Sequence, residues 1–299
     1  MANKENVIRT ARLAEDEGFD SLWVFERLLW PISPQTPYPA TPDGRLPEEY
    51  QIMLDPLQTL SFVSATTSKI LVGTCIIDML FHNPVILSKS FATLDVFSQG
   101  RTIAGFGIGW SRDEYQASNI PFNNRGKRAD EYLQVLKKLW MDDTVEFKGQ
   151  YYSIPASKIG PKPIQKPHIP IFLGGFSPNT FSRIVNHDTN GWLGVLGGPI
   201  EQIKDIMETI KGNAKKANKD PNNFRIILLT YPSVVESKEE KNINNRFPMT
   251  GTVDQIGKDI KELKDIGIDH IIFGHNFSPL GKDIDKMIDT TKQFAKFAR

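Results

Sequence analysis

Short apolar runs alternate along this chain with longer amphipathic segments. The runs are SLWVF (21–25), KILVGTCII (69–77), RTIAGFGI (101–108), IPIFLGG (169–175), GWLGV (191–195), FRIILLTY (224–231) and DHIIFG (269–274). Each is too short for a typical globular helix and reads as a strand. Between them apolar residues recur at helical spacing: Val7, Ala11 and Ala14; Ala129, Leu133, Leu136 and Trp140; Ile203, Met207, Ile210 and Ala214; Val253, Ile256, Ile260 and Leu263. Strands alternating with helices predict βα units and a parallel sheet. Most of the strands lack in/out alternation, so they are expected to be buried on both faces.

The junctions add direction. Asp55-Pro56, Asn83-Pro84 and Ser177-Pro178 each set a capping side chain before a proline suited to the first helical position. The last two closely follow a strand, which puts them at the C-terminal edge of the sheet, where βα proteins build active sites. The apolar run ILVGTCIID (70–78) feeds its polar end, Cys75 to Asp78, into that edge. Two architectures fit. GFGIG (105–109) is a weak match to a dinucleotide-binding turn, because it follows an interior strand and runs into WSRDE. A (β/α)8 barrel fits the strand count better, one strand short, and the missing strand is the first, since the chain opens with a helix over Asn6–Glu17. Residues 1–5 either fill that gap or leave a seam there.

Composition changes the picture mainly by exclusion. The 299 residues are 39% hydrophobic and 24% charged, as in an ordinary soluble globular protein. No apolar run reaches the ~18–20 residues of a membrane span and no signal peptide is recognisable, so a cytoplasmic location is expected. One cysteine excludes an internal disulfide, and no Cys/His spacing suits zinc. A formal charge of +1 lacks the basic footprint of nucleic-acid binding, and KGNAKKANKD (211–220) reads as a solvated helix end. With no repeat and no flexible linker, residues 1–299 read as one domain with inserted loops at about 28–54 and 142–168. The first loop, rich in Pro and Tyr, is long enough to expect a pocket wall or lid.

The succession AEDEGFDSLWVFE, DPLQTLSFVSATTSKILVGT, NPVILSKSFATLDVFSQGR, GFGIGW, RGKRADEYLQVLKKLW, FKGQYY and GPKPIQKPHIPIFLGG resembles the bacterial luciferase-like flavin and deazaflavin oxidoreductases, over roughly residues 7–275. Within them it is most similar to the subgroup that depends on coenzyme F420, a 5-deazaflavin. The resemblance implies a TIM-type (β/α)8 barrel, here lacking its first strand, and hydride transfer between the deazaflavin and a small organic substrate. The alternatives are an FMN-dependent monooxygenase and a flavin-binding barrel without turnover. It also implies a homodimer through the helices at 56–67 and 84–98.

The same resemblance places functions on residues. It puts the cofactor phosphate at Gly174, Gly175, Phe176 and Ser177, where glycines allow close approach and a helix start offers free N–H groups. It puts a cis peptide bond without proline at Cys75-Ile76, supporting the ring from behind, with Asp78 just beyond and with Gly107 and Gly109 beside the cofactor tail. Cys75 then packs rather than attacks. Where many relatives carry Ser-Asp-His, this chain has Phe25-Glu26-Arg27. Glu26 can replace Asp as an acceptor, but Arg27 cannot carry protons as His does. Arg27 is free to hold an anion or to pair with Glu26. The proton carrier is then sought in His82, with Trp110 on the substrate side. His275 also reaches the rim, while His168 and His187 read as structural.

Overall fold

In this computed structural model residues 3–41, 43–235 and 246–298 are described, and they form two compact units. Residues 3–174, with 187–189, make the first. In chain order it carries helix α1 (Lys4–Asp16), strand β1 (Ser21–Val24), α2 (Pro56–Thr66), β2 (Leu71–Thr74), β3 (Ile77–Asp78), α3 (Pro84–Phe97), β4 (Thr102–Gly107), α4 (Arg112–Ala117), α5 (Arg125–Met141), β5 (Val145–Lys148), β6 (Ser153–Ser157) and β7 (Ile171–Gly174). Its sheet is parallel in the order β1-β2-β4-β7, and β3 adds a second, short pairing to β4. The first described element is indeed a helix. Residues 4 and 5 belong to it, and residues 1 and 2 lie outside the described residues.

Sequence dictates these elements locally. Asp55 accepts from Gln58 N and Asn83 from Val85 N, so both Asx-Pro pairs start a helix as expected. The strands' N-terminal ends are tied down by two polar staples. Glu15 of α1 accepts from the backbone N–H groups of Ser68, Lys69 and Ile70 at 2.5–3.0 Å, and Arg101 donates to the carbonyls of Ser64, Thr67, Ile70 and Ser98. Satisfying these backbone groups with charged partners fixes one end of the sheet and leaves the other end for chemistry. Above and below, Phe91, Phe106 and Trp140 pack ring on ring, with Trp140 donating to Ser88 O across the α3–α5 contact.

The long apolar run at 69–77 is not one strand. It breaks between β2 and β3 at Cys75-Ile76, whose peptide bond is cis. In the loop at 28–54, Trp30 donates to Leu46 O and Pro47 O, and the Tyr38 and Tyr50 hydroxyls lie 3.0 Å apart. Loop 142–168 contains the antiparallel hairpin β5–β6. Glu131 of α5 holds its turn through the N–H groups of Gln150, Tyr151 and Tyr152.

Residues 175–186 with 190–298 make the second unit. It contains α6 (Pro178–Asn186), β8 (Gly191–Val195), α7 (Ile200–Lys216), β9 (Arg225–Thr230), β10 (Ser233–Val234), β11 (Thr250–Gly251), α8 (Val253–Asp265), β12 (His270–Phe273) and α9 (Ile284–Ala295). β8, β9 and β12 are parallel neighbours in that order, and β10 pairs with β11. A capping box at Thr252 and Gln255 starts α8. No described helix is long and apolar enough to cross a membrane.

Candidate functional site

At the C-terminal end of β1 the chain delivers Glu26 and Arg27 side by side, and each finds a different partner. The Glu26 carboxylate lies 2.7 Å from His82 Nε2 with one oxygen and accepts from Asp78 N at 3.0 Å with the other. Arg27 does not pair with Glu26. Its Nη1 donates to Glu114 of α4 at 2.6 Å, and the same carboxylate accepts from Leu28 N at 2.9 Å. The guanidinium lies 5.1 Å from the Trp110 ring and 5.5 Å from the Tyr50 ring, a cation–π setting that suits a desolvated arginine. The Arg27 and Glu114 side chains are only 9% and 2% exposed, so the pair is buried rather than a surface contact. One guanidinium nitrogen, Nε, is enclosed without a partner.

Asp78 closes the cluster. Its Oδ1 accepts from Gly109 N at 2.8 Å. Burial pushes its carboxyl up to about 7, with the charges of Glu26 and Glu114 adding to the rise and Arg27 opposing it. Burial also raises Glu114, against the pull of Arg27. For His82 burial works downward, but the hydrogen bond and charge of Glu26 outweigh it and the imidazole is held above its ordinary value. Burial pushes the Cys75 thiol up to about 12, which disfavours the thiolate.

Gly107 and Gly109 are needed here by the protein's own side chains. A Cβ at Gly107 would collide with Ile76 and Asp78, and Gly109 combines a φ of +73° with Phe81 and Tyr115 at its back. Trp110 stands against Tyr38 of the long loop, ring centroids 5.5 Å apart. A hollow beneath that loop is lined by Arg27, Thr36, Tyr38, Trp110 and Ser111. Tyr115 adds a hydroxyl bonded to Ile108 O.

Gly174 ends β7, and Gly175, Phe176 and Ser177 belong to the second unit. Gly175 adopts a φ of +119°, and its carbonyl accepts from Trp192 Nε1 at 2.9 Å. Ser177 Oγ accepts from Thr180 N at 3.2 Å, the capping role its place before Pro178 implies. Phe176 is 56% exposed, and its ring meets Trp192 edge-on. In the same unit, burial lowers His275 to about 4, and its Nε2 meets Thr291 Oγ1 at 2.7 Å. His187 faces Asp130 at 3.2 Å, and His168 is buried against Ile169 O.

The structure thus assembles Glu26, Arg27, Asp78, His82, Gly109 and Trp110 in one place. Sequence reasoning missed Glu114, Tyr50 and Tyr115. Glu114 carried a signal, since Ser111-Arg112-Asp113-Glu114 is a capping-box spacing. Ser111 does cap α4, while the glutamate serves Arg27 instead.

Comparison with known proteins matches residues 2–249 to the model of the luciferase-like monooxygenase family. An uncharacterised protein of Mycobacterium tuberculosis is 34% identical over 202 residues, covering 66% of this chain and 71% of that one. An FMNH2-dependent dimethylsulfone monooxygenase of Pseudomonas putida is 31% identical over 135 residues, 44% of this chain and 37% of that one. Among solved structures, an F420-dependent secondary alcohol dehydrogenase in complex with an F420-acetone adduct superposes with a TM-score of 0.79 at 22% identity, over 99% of this chain and 96% of that one.

Proposed function

The chain belongs to the luciferase-like monooxygenase family of (β/α)-barrel oxidoreductases, and on that premise we propose that it is a coenzyme F420-dependent oxidoreductase acting on a small organic substrate. Relatives of this family use either F420 or FMN, so a flavin-type cofactor follows from membership. The choice of the deazaflavin rests on one observation, the Glu26–His82 pair at 2.7 Å. Hydride transfer to or from an organic substrate needs a proton carrier beside the reacting carbon, and this pair restores one where Arg27 removes it.

Two sets of residues, taken unit by unit, suit the parts of such a cofactor that the family resemblance assigns to them. Gly174, Gly175 and Ser177 before α6 offer a close backbone approach and helix N–H groups to a phosphate, and the exposed Phe176 ring offers an apolar face. Cys75 and Ile76, at the break between β2 and β3, would back the ring, beside Asp78, Gly107 and Gly109. When bound, the deazaflavin supplies or accepts the hydride. The chain's own part is to position substrate against Arg27 and Trp110, to exclude water with loop 28–54, and to hold a proton at His82. We place the protein in the cytoplasm as a homodimer. Phe62 of α2 and Ile86 and Phe97 of α3 are 51%, 67% and 61% exposed, an apolar surface suited to a second copy.

Titrating the purified protein with F420 and with FMN, and following fluorescence quenching, tests the cofactor. F420 is expected to bind at least about tenfold more tightly, a difference of ~1.4 kcal/mol. Equal or reversed affinities favour the FMN-dependent monooxygenase, and no binding of either leaves a barrel without turnover.

A further inference from the structure

Glu114 takes only one side of the Arg27 guanidinium. It accepts from Nη1 at 2.6 Å, which belongs to the end-on edge. The side edge, made by Nε and Nη2, presents two parallel N–H groups of the kind that receive both oxygens of a carboxylate. No described residue accepts from either nitrogen, and Nε is enclosed. With the side chain buried, an N–H left without an acceptor is costly, and a ligand oxygen would relieve it.

The hollow that Arg27 lines is rich in donors. Thr36 and Ser111 line it too. Thr36 Oγ1 accepts from Arg112 N at 3.2 Å, and Ser111 Oγ accepts from Glu114 N at 3.3 Å. Each hydroxyl therefore has an acceptor position taken and an O–H left to donate. Trp110, Tyr38, Pro31 and Pro34 supply flat, largely apolar walls. One carboxylate lines the hollow, that of Asp113, and its oxygens already face Gln35 N at 3.0 and 3.3 Å. Glu26, next to Arg27 in the chain, is turned to His82 and to Asp78 N.

We propose that this hollow binds a carboxylate of the substrate, side-on to Arg27 Nε and Nη2 with the Thr36 and Ser111 hydroxyls donating beside it, so that the enzyme acts on small organic acids. This rests on the reading of the protein as an F420-dependent oxidoreductase and adds to it a substrate class and the group that anchors it. The hollow is narrow, so the acid end enters and the rest of the molecule stays outside. The carboxylate is an anchor and takes no part in the two-electron step, and the proton carrier remains His82. A phosphate suits the place less well. Glu114 already shares the charge of Arg27, and Asp113 stands on the same wall, so one negative charge is held better than two. A neutral amide oxygen would meet the same donors through weaker, uncharged hydrogen bonds.

Isothermal titration of the full-length protein with benzoate, benzamide and phenyl phosphate tests this without cofactor. Benzoate is expected to bind at least about tenfold more tightly than either of the others. Arg27→Lys keeps the positive charge and loses the side edge, and it is expected to lose about tenfold or more in benzoate affinity together with the preference over benzamide. Thr36→Val lies on the loop outside the buried ion pair, and it is expected to weaken benzoate about threefold or more with little change in melting temperature. Equal affinity for benzoate and benzamide, no binding of benzoate, or tighter binding of phenyl phosphate overturns the proposal. So does an unchanged benzoate affinity in a folded Arg27→Lys or, where melting shows that variant to be unfolded, in Thr36→Val. Failure of the protein to use F420 leaves the titration standing and counts against the F420 reading alone. Turnover with F420 that treats acids and their amides alike overturns the carboxylate anchor and leaves that reading intact.

Discussion

Arg27 and Glu114 show how one side chain's charge commits several others. The pair is buried, with the Arg27 guanidinium near the Tyr50 and Trp110 rings, so removing one partner strands the other. Glu114→Gln is expected to destabilise by roughly 3–5 kcal/mol, read as a drop in denaturant midpoint at unchanged m-value; a change under about 1 kcal/mol would mean the pair is solvated. Asp78 works in the opposite direction. Its folded-state pKa lies above that of the unfolded chain, so the native state binds the extra proton, and stability falls as pH rises from about 4 towards 7. Asp78→Asn, which cannot ionise, is expected to gain in Tm relative to the wild type between pH 5 and pH 8, and a difference that stays constant with pH would contradict the shift. At this scale the residues reached from the sequence were those that end an apolar run or sit beside an unusual dipeptide: Glu26, Arg27, Asp78, His82. Glu114 was not reached because it joins the site across 87 positions of chain, a separation that no local pattern reports.

Elements that carry a long apolar period or a proline-cap signal were legible. All seven apolar runs contain a parallel strand, trimmed by a residue or two at most junctions. What hid were elements whose cause lies elsewhere. The break between β2 and β3 interrupts a run that reads as continuous, and only the resemblance placed it at Cys75-Ile76. The hairpin β5–β6 has mostly exposed positions and carries Pro155 inside β6, features that argue against a strand; it forms because Glu131 gathers its turn. The turn before α6 makes a prediction of its own. Ser177→Asp keeps a capping oxygen for Thr180 N yet sets a carboxylate where a cofactor phosphate is proposed, so it is expected to preserve the fold by circular dichroism and to weaken F420 binding about tenfold or more. Unchanged affinity would exclude this loop as the phosphate site.

For the molecule as a whole, the parallel βα pattern and family membership were available from the chain alone, while the cofactor was not, since F420 and FMN relatives share the pattern that carries the resemblance. The exposed apolar residues on α2 and α3 belong to this scale, because a helix face serves another copy only if the whole surface is complementary. Sedimentation at micromolar concentration is expected to give a dimer, and Ile86→Glu with Phe97→Glu a folded monomer; a wild-type monomer would defeat the interface. The central proposal is two-electron exchange between a deazaflavin and a small organic substrate. It is tested most directly by mixing the protein anaerobically with oxidised F420 and a panel of small organic hydride donors, and in parallel with reduced F420 and their oxidised counterparts, and following the deazaflavin's visible absorbance. A change in that absorbance with stoichiometric product is the expected result. Oxygen consumption with reduced FMN, and no change in F420 with any member of the panel in either direction, would contradict it.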